Sequence, residues 1–151
     1  MSQRIKAGRE FLVRVHRQLE SDEHFMLETT LAGRSFRRIL ERAKAAGFNI
    51  TVIFVYHDCA DTCVARVQER VRKGGHDVPE FDIRRRFSRT FANFWHIYRQ
   101  FADDWDVIYN SGSEFKRIAV GEDDATIVYD ETAFRQFLRL AGEGSDDRVN
   151  G

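Results

Sequence analysis

The chain has little cysteine, a single proline and no long apolar run. Its 151 residues include two cysteines, Cys59 and Cys63, too few for the disulfide framework of a small secreted domain. The longest apolar stretch, residues 50–56, is far shorter than the roughly 20 residues of a membrane span. Residues 1–6 also lack the apolar segment of a signal peptide. We therefore expect a cytoplasmic protein with no membrane partner.

Excess charge of either sign is also absent, because 24 basic residues balance 24 acidic ones. A neutral chain argues against generic binding to nucleic acid, and no exposed aromatics are expected between its basic residues, so we expect no nucleic-acid partner. The apolar content of 42%, with 13 phenylalanines, is enough for a core of ordinary size. Length and composition favour one globular domain, over residues 1–142, followed by a disordered tail at 143–151.

Apolar periodicity predicts alternating helices and strands. Residues 50–56 are apolar on both faces, which is typical of a buried parallel strand. The pattern predicts an α/β fold, a parallel sheet flanked by helices, with a C-terminal hairpin and helix. The expected helices lie near residues 6–20, 36–46, 61–73 (capped by Asp61), 83–101 and 132–141, and the strands lie at 25–27, 50–56, 107–109, 117–120 and 126–129.

A basic stretch spans residues 66–89, and a Gly-Gly-His-Asp-Val-Pro joint interrupts it at residues 74–79. Glycine allows backbone angles that are closed to other residues, and Pro79 preorganises entry into the next helix. Two arginine-bearing helix ends beside one mobile loop suggest a phosphate-handling lid. The alternative is two solvated helix faces joined by a turn. The stretch has eight basic residues against four acidic ones: Arg66, Arg70, Arg72, Lys73, Arg84, Arg85, Arg86 and Arg89 against Glu69, Asp77, Glu80 and Asp82.

Polar clusters follow three predicted strands, where α/β sheets commonly bind ligands. They are Glu28-Thr29-Thr30, His57-Asp58 and Asn110-Ser111. A carboxylate such as Glu28 can hold magnesium through water, accept a hydroxyl proton or orient a sugar. Arg34, at the predicted start of the next helix, adds a candidate anion contact. Polar residues also follow strands simply because the chain leaves the core, so each cluster keeps a purely structural interpretation.

A group of potential metal ligands, His57, Asp58, Cys59 and Cys63, lies within seven residues. Structural zinc sites usually combine ligand pairs from two separate segments, and no second cysteine pair exists. We expect no metal site here, and we expect the two thiols to pack around a strand-to-helix turn.

Five ordered motifs resemble the zeta-toxin-like family of P-loop kinases over roughly residues 7–121. The resemblance implies a P-loop kinase sheet, ATP and Mg²⁺ as cofactors, a small-molecule substrate and toxin–antitoxin biology. The better-understood zeta toxins phosphorylate a UDP-amino sugar, whereas many small relatives with the Glu-Thr-Thr and Gly-Gly-His-Asp-Val-Pro signatures have no settled substrate. The motifs are Phe-Met-Leu-Glu-Thr-Thr-Leu-Ala-Gly-Arg-Ser at 25–35, the strand at 52–56, residues 66–79, Ile-Arg-Arg-Arg-Phe at 83–87, and Tyr-Asn-Ser-Gly at 109–112.

The same resemblance assigns roles to individual residues. Catalytic lid positions correspond to Arg70, Arg84, Arg85 and Arg86. Substrate-side positions correspond to Glu28, Thr29, Thr30 and Arg34, and nucleotide-side positions correspond to Arg72, Asn110 and Ser111.

One defining feature of that family is missing from the sequence. No Gly-x-x-x-x-Gly-Lys-Ser/Thr loop occurs, although this loop holds the phosphates and magnesium in P-loop enzymes. In the family, a first strand lies in the middle of the sheet, between the strands that match residues 25–28 and 50–56, and this sequence has no counterpart of it. A gene start assigned too late, a split or decayed gene, or a shortened protein would each explain its absence. We therefore expect little ATP binding by this chain alone, and either self-association or pairing with an N-terminal fragment that bears the P-loop. The alternative is a non-catalytic binding or interaction protein.

Overall fold

The computed structural model describes residues 3–21, 23–122 and 125–143. It has an α/β fold with five α-helices, one 3₁₀ turn and four strands in these described residues. In chain order these are α1 Gln3–Leu19, α2 Arg37–Ala45, β1 Thr51–Tyr56, α3 Ala60–Arg72, α4 Glu80–His96, the 3₁₀ turn Tyr98–Phe101, β2 Asp104–Asn110, β3 Phe115–Glu122, β4 Ala125–Val128 and α5 Glu131–Leu140.

The strands form one mixed sheet in the order β1-β2-β3-β4. β1 and β2 are parallel and are joined through α3 and α4, whereas β2–β3 and β3–β4 are antiparallel. The expected parallel sheet is thus realised in one strand pair, and the expected C-terminal hairpin and helix are present. β1 occupies one edge, so its second side has no strand partner among the described residues.

An aromatic core holds the helices against one face of this sheet. Phe54 of β1 stacks on Phe94 of α4 at 4.5 Å and meets Phe137 of α5 edge-on at 5.8 Å. Phe94 and Phe137 have no exposed surface, as expected for side chains that dominate a core. Leu40 and Ala43 of α2 join the same cluster. The alternation of side chains along β1 therefore points Phe54 inward and its neighbours outward.

The prediction that both faces of β1 are buried is wrong. Ile53 and Val55 remain 55% and 47% exposed. The physical reason is that α2, α4 and α5 contribute their buried residues to a single cluster on the Phe54 side of the sheet. The opposite side, which we call the outer face, carries no helix from the described part of the chain.

The predicted strand at residues 25–27 is also wrong. Residues 23–30 form no regular secondary structure, and none of their described backbone groups bonds to a strand. Side chains of α4 and the 3₁₀ turn hold the next residues instead. Asn93 donates to the Leu31 carbonyl at 2.8 Å, and Thr90 and Tyr98 donate to the carbonyls of Thr30 and Gly33.

Two helix boundaries differ from expectation. Asp61 does not cap α3, because Cys59 is the N-cap residue and makes no side-chain capping bond, and Asp61 instead accepts a hydrogen bond from Arg84. The long helix expected over residues 83–101 breaks at Ile97, whose φ of −120° is not helical. The break lets the chain turn back toward β2, and Arg99 then lies 3.7 Å from the Trp95 ring centroid.

The last helix has a side-chain cap and a glycine stop. Asp130 accepts from the amide of Ala133 at 2.9 Å, and Gly142 adopts a φ of +86° after the helix. Glu143, the first residue of the expected tail, still donates to the Leu138 carbonyl at 2.8 Å. Residues 144–151, the rest of that tail, lie outside the described residues.

Asp103 fastens the start of β1 to the start of β2 and makes the fold acid-sensitive. Its carboxylate accepts from the Ile50 amide at 2.7 Å and pairs with Lys44. The Ile50 hydrogen bond first, and then Lys44, lower the pKa of Asp103. A lowered pKa contributes stability above the unfolded-state value of about 3.9, and this stability is lost as the pH falls through the folded-state value.

We expect Asp103→Asn to cost about 1 kcal/mol at neutral pH, since the charge on the hydrogen-bond acceptor is lost. Urea unfolding of the variant and the wild type should converge once the pH has fallen through the lowered folded-state pKa of Asp103. Glu10→Gln, which removes an exposed carboxylate with no ion pair in the described structure, is the matched control. A difference that persists unchanged at acid pH would contradict this assignment.

Candidate functional site

The joint between α3 and α4 contains two glycines at positions where a side chain would be strained or would clash. Gly74 has a φ of +86°, and a Cβ on Gly75 would lie 2.6 Å from Cγ and 2.8 Å from the carbonyl oxygen of Arg70. Arg70 itself donates to the His76 carbonyl at 3.1 Å and so braces the loop. Beside it lies an open depression of about 510 Å³, lined by Arg66, Glu69, Arg70, Lys73, Gly74 and Gly75.

Two of the four arginines predicted for the lid, together with the nucleotide-side Arg72, are paired with acidic side chains. Arg84 binds Asp61 at 2.6 Å and Glu80 at 2.7 Å, and these hydrogen bonds raise its pKa. Arg85 binds Asp82 at 2.6 Å, and Arg72 binds Glu69 at 3.1 Å. Such exposed pairs contribute only about 0–1 kcal/mol each, so an anionic ligand can displace them at modest cost. Arg84 also connects α3 to α4, because Asp61 lies in the first turn of α3.

Arg86 occupies a different position from its two neighbours. It lies four residues before Thr90 and seven before Asn93, which places all three on one face of α4. Thr90 and Asn93 bind the carbonyls of Thr30 and Leu31. Arg86 therefore shares the face of α4 that contacts the end of the Glu28-Thr29-Thr30 cluster, and it makes no ion pair within the described structure.

The Glu28-Thr29-Thr30 cluster is exposed and ends at a strained residue. Leu31 has a φ of +53°, a region that a residue with a Cβ rarely adopts, yet its side chain is buried. Its amide donates to Thr29 Oγ1 at 3.3 Å. Backbone strain of this kind, of order 1–3 kcal/mol, is often found at functional sites. Arg34 is exposed in the turn before α2, which begins only at Arg37.

The predicted nucleotide-side residues do not come together. Asn110 is buried, its side chain accepts from the Gly112 amide at 2.8 Å, and its carbonyl accepts from His57 Nδ1 at 2.6 Å. Ser111 Oγ accepts from the Glu114 amide at 3.1 Å, so both residues shape the β2–β3 turn. α3 begins close to this turn, and Arg72, at its other end, is about 18 Å further along the helix axis.

A tyrosine pair at the same end of the sheet was missed at the sequence level. Tyr56 and Tyr109 are register partners with ring centroids 5.5 Å apart. Burial raises the pKa of Tyr56 to about 12, with smaller effects from Tyr109, Asp130 and Asp58. Burial and then Asp58 raise the pKa of Tyr109. The two phenols stay neutral at physiological pH. The available signal was a tyrosine at the end of each of two predicted strands, residues 50–56 and 107–109.

The potential metal ligands identified in the sequence, residues 57–59 and 63, have other roles in the structure. His57 bonds to the β2–β3 turn, Cys59 Sγ lies 3.2 Å from Thr62 Oγ1, and burial raises the pKa of the Cys63 thiol. Over residues 3–21, 23–122 and 125–143, no group of three or more His, Cys, Asp or Glu side chains is placed to hold a metal ion. Nor does any helix in these ranges have the length and apolarity to cross a membrane.

Comparison with known proteins finds similarity over part of the chain. The chain is 29% identical over 83 residues to an uncharacterized protein from Haemophilus influenzae, an alignment that covers 55% of this chain. The chain spans 59% of the length of that relative. No protein-family model matches the chain, and no solved structure matches it. The structure is that of an α/β protein with a four-stranded mixed sheet.

Proposed function

We propose that this chain is the lid and acceptor side of a zeta-toxin-like P-loop kinase, which phosphorylates a small molecule, of the nucleotide-sugar kind, only when another segment supplies the phosphate-binding loop. The observation that carries the proposal is a place for one more strand beside β1. Neither the free side of β1 nor residues 23–29 have a backbone partner in the described chain.

Two contacts relate the segment at residues 25–31 to β1 and its surroundings. At one end, Phe25 packs edge-on against Phe48, just before β1, at 5.6 Å. At the other end, Leu31 joins the core cluster of Phe54 and is bound by Asn93 of α4. Phe25 and Leu27 are partly buried while Met26 is 89% exposed, which is the alternation of a strand. A parallel strand inserted between the two would satisfy both backbones.

The arginine arrangement also supports a phosphotransferase. Catalysis of phosphoryl transfer depends on positioned positive charge that neutralises the transferred group. Arg86 has no acidic partner among the described residues and lies in the row of α4 residues that holds Thr30, while Arg70 braces the glycine loop. Glu28 and Thr29 are exposed beside that row, where an acceptor hydroxyl could bind. ATP and Mg²⁺ would be the cofactors of the completed site.

A second candidate function is binding without catalysis. The observation that favours it is that Arg72, Arg84 and Arg85 are already neutralised by acidic side chains of this chain, so the lid is held without a nucleotide. In that case Glu28 and Arg86 would recognise a nucleotide sugar or a protein partner by themselves.

Calorimetry with ATP and Mg²⁺ tests whether this chain binds ATP without a phosphate-binding loop supplied by another segment. We expect no binding in the low-micromolar range, because that would require about 8 kcal/mol from groups that are mostly paired with one another. A low-micromolar dissociation constant for ATP would contradict the proposal. Binding of a UDP-sugar without ATP, abolished by Arg86→Ala and retained by Arg85→Ala, would favour the second candidate.

A further inference from the structure

The outer face of the sheet exposes several apolar side chains beside charged ones. By strand register, one row that crosses it contains Ile53, Asp106, Val120 and Ile127. Ile53 and Ile127, at the two ends of that row, are 55% and 50% exposed. Soluble monomers rarely leave a contiguous apolar sheet face in water, and such faces mark interaction surfaces.

A carboxylate in the middle of this row lacks half of its hydrogen bonds. Asp106 is only 8% exposed although its side chain projects from the outer face. Its Oδ2 accepts from Arg117 at 2.7 Å, whereas its Oδ1 is buried with no hydrogen-bond partner in the described structure. An unsatisfied buried acceptor is costly, so this position favours the arrival of a donor from a partner.

We propose that the outer face binds the outer face of a second copy of this chain. The charges of the face decide the orientation. Asp104 and Glu122 lie at one end of the face, and Arg117 lies toward the other end, beside Ile108. A two-fold axis across the strands places acidic ends over basic ends, whereas an axis along the strands would place acidic groups on acidic groups.

In that arrangement Arg117 of each copy approaches Asp106 of the other copy. Each Asp106 then gains a donor for Oδ1 while it keeps its own Arg117 on Oδ2. The apolar residues of the two faces pack as in a β-sandwich, with the sheets about 10 Å apart. The interface uses the face of the sheet and leaves the free side of β1 unoccupied, so it is independent of the proposed kinase activity.

Sedimentation velocity over a concentration series, up to about 100 µM, tests the proposal on the full chain. We expect a dimer whose dissociation constant rises at least tenfold in Ile127→Lys, which puts a charge on the outer face in β4. The control is Phe81→Lys, which makes the same kind of change at a 74% exposed position on α4. It should leave the dimer intact.

A wild-type chain that stays monomeric at about 100 µM would overturn the proposal. A dimer that Ile127→Lys does not weaken would also overturn it, and would point instead to pairing through the β1 edge. Val55→Lys, at a second exposed outer-face position, gives the same test if Ile127→Lys fails to melt cooperatively.

Discussion

A fragment that carries one β-strand followed by a Gly-x-x-x-x-Gly-Lys-Ser loop is expected to raise the melting temperature of this chain and to produce ATP hydrolysis. The strand would pair with the free side of β1 and with residues 23–29. At a hundredfold excess over its dissociation constant, the fragment should stabilise the fold by about 2.7 kcal/mol, a rise of roughly 5–10 °C. Thermal melts and phosphate release measure the two effects.

Matched controls separate pairing from chemistry. A fragment with the loop lysine replaced by alanine should stabilise equally and give no hydrolysis, because only the phosphate contacts are lost. In the chain, Glu28→Ala and Arg86→Ala should keep the stabilisation and reduce the restored activity at least tenfold. Arg85→Ala should stay within about twofold, since Arg85 is paired with Asp82 and turned toward Phe81. Equal losses for Arg85→Ala and Arg86→Ala would show that position on α4 does not matter.

Gly121→Ala is expected to be among the most destabilising single substitutions. A Cβ at this position would lie 2.0 Å from Nε1 and 2.1 Å from Cε2 of the Trp105 ring. Gly121 and Trp105 are cross-strand partners, and the ring is buried against Phe94 and Trp95. Because a rigid ring in a packed core cannot move away, we expect a loss of about 3 kcal/mol or a failure to fold.

Gly33→Ala is the matched control for this prediction. Its nearest contact to a new Cβ is Ser35 Oγ at 3.9 Å, and its φ lies outside the left-handed region. Removing backbone freedom from the unfolded chain should leave stability unchanged or raise it slightly. Urea unfolding measures both variants. A Gly121→Ala protein as stable as the Gly33→Ala protein would mean that Trp105 does not lie over the glycine.

Local sequence patterns predicted the elements that are paired or packed in the structure. β1, β2 and the hairpin are β-branched and bounded by turn residues, and they form where expected. Residues 25–27 have the same apolar alternation but form no strand, because strand formation requires a neighbouring edge, which composition does not reveal. The exposure of the outer face was not predicted for the same reason. Apolar residues at Ile53 and Val55 fit a covered sheet, and only tertiary structure shows that no helix of the described chain covers them.

The sequence allowed prediction of which residues could form a site and of their local ion pairs, but not of their contacts with distant segments. The sequence places Glu80 four residues before Arg84 and Asp82 three before Arg85, so these intrahelical ion pairs could have been anticipated. The selection of Arg86 depends on Thr90 and Asn93 binding a distant segment, which no local pattern encodes. Asn110 and Ser111 looked like ligand contacts, but a tight turn uses the same polar atoms.

Residue-resolved amide hydrogen exchange of β1, with and without the strand fragment, tests the proposed strand site most directly. The Ile50 carbonyl faces β2, since it accepts from the amides of Asp103 and Asp104. By alternation, the Phe54 amide also faces β2, and those of Ile53 and Val55 face the free side. We predict slow exchange at Phe54, fast exchange at Ile53 and Val55 in the chain alone, and protection of both when the fragment is added. Protection of Ile53 and Val55 equal to that of Phe54 without the fragment, or no change on adding it, would contradict the account.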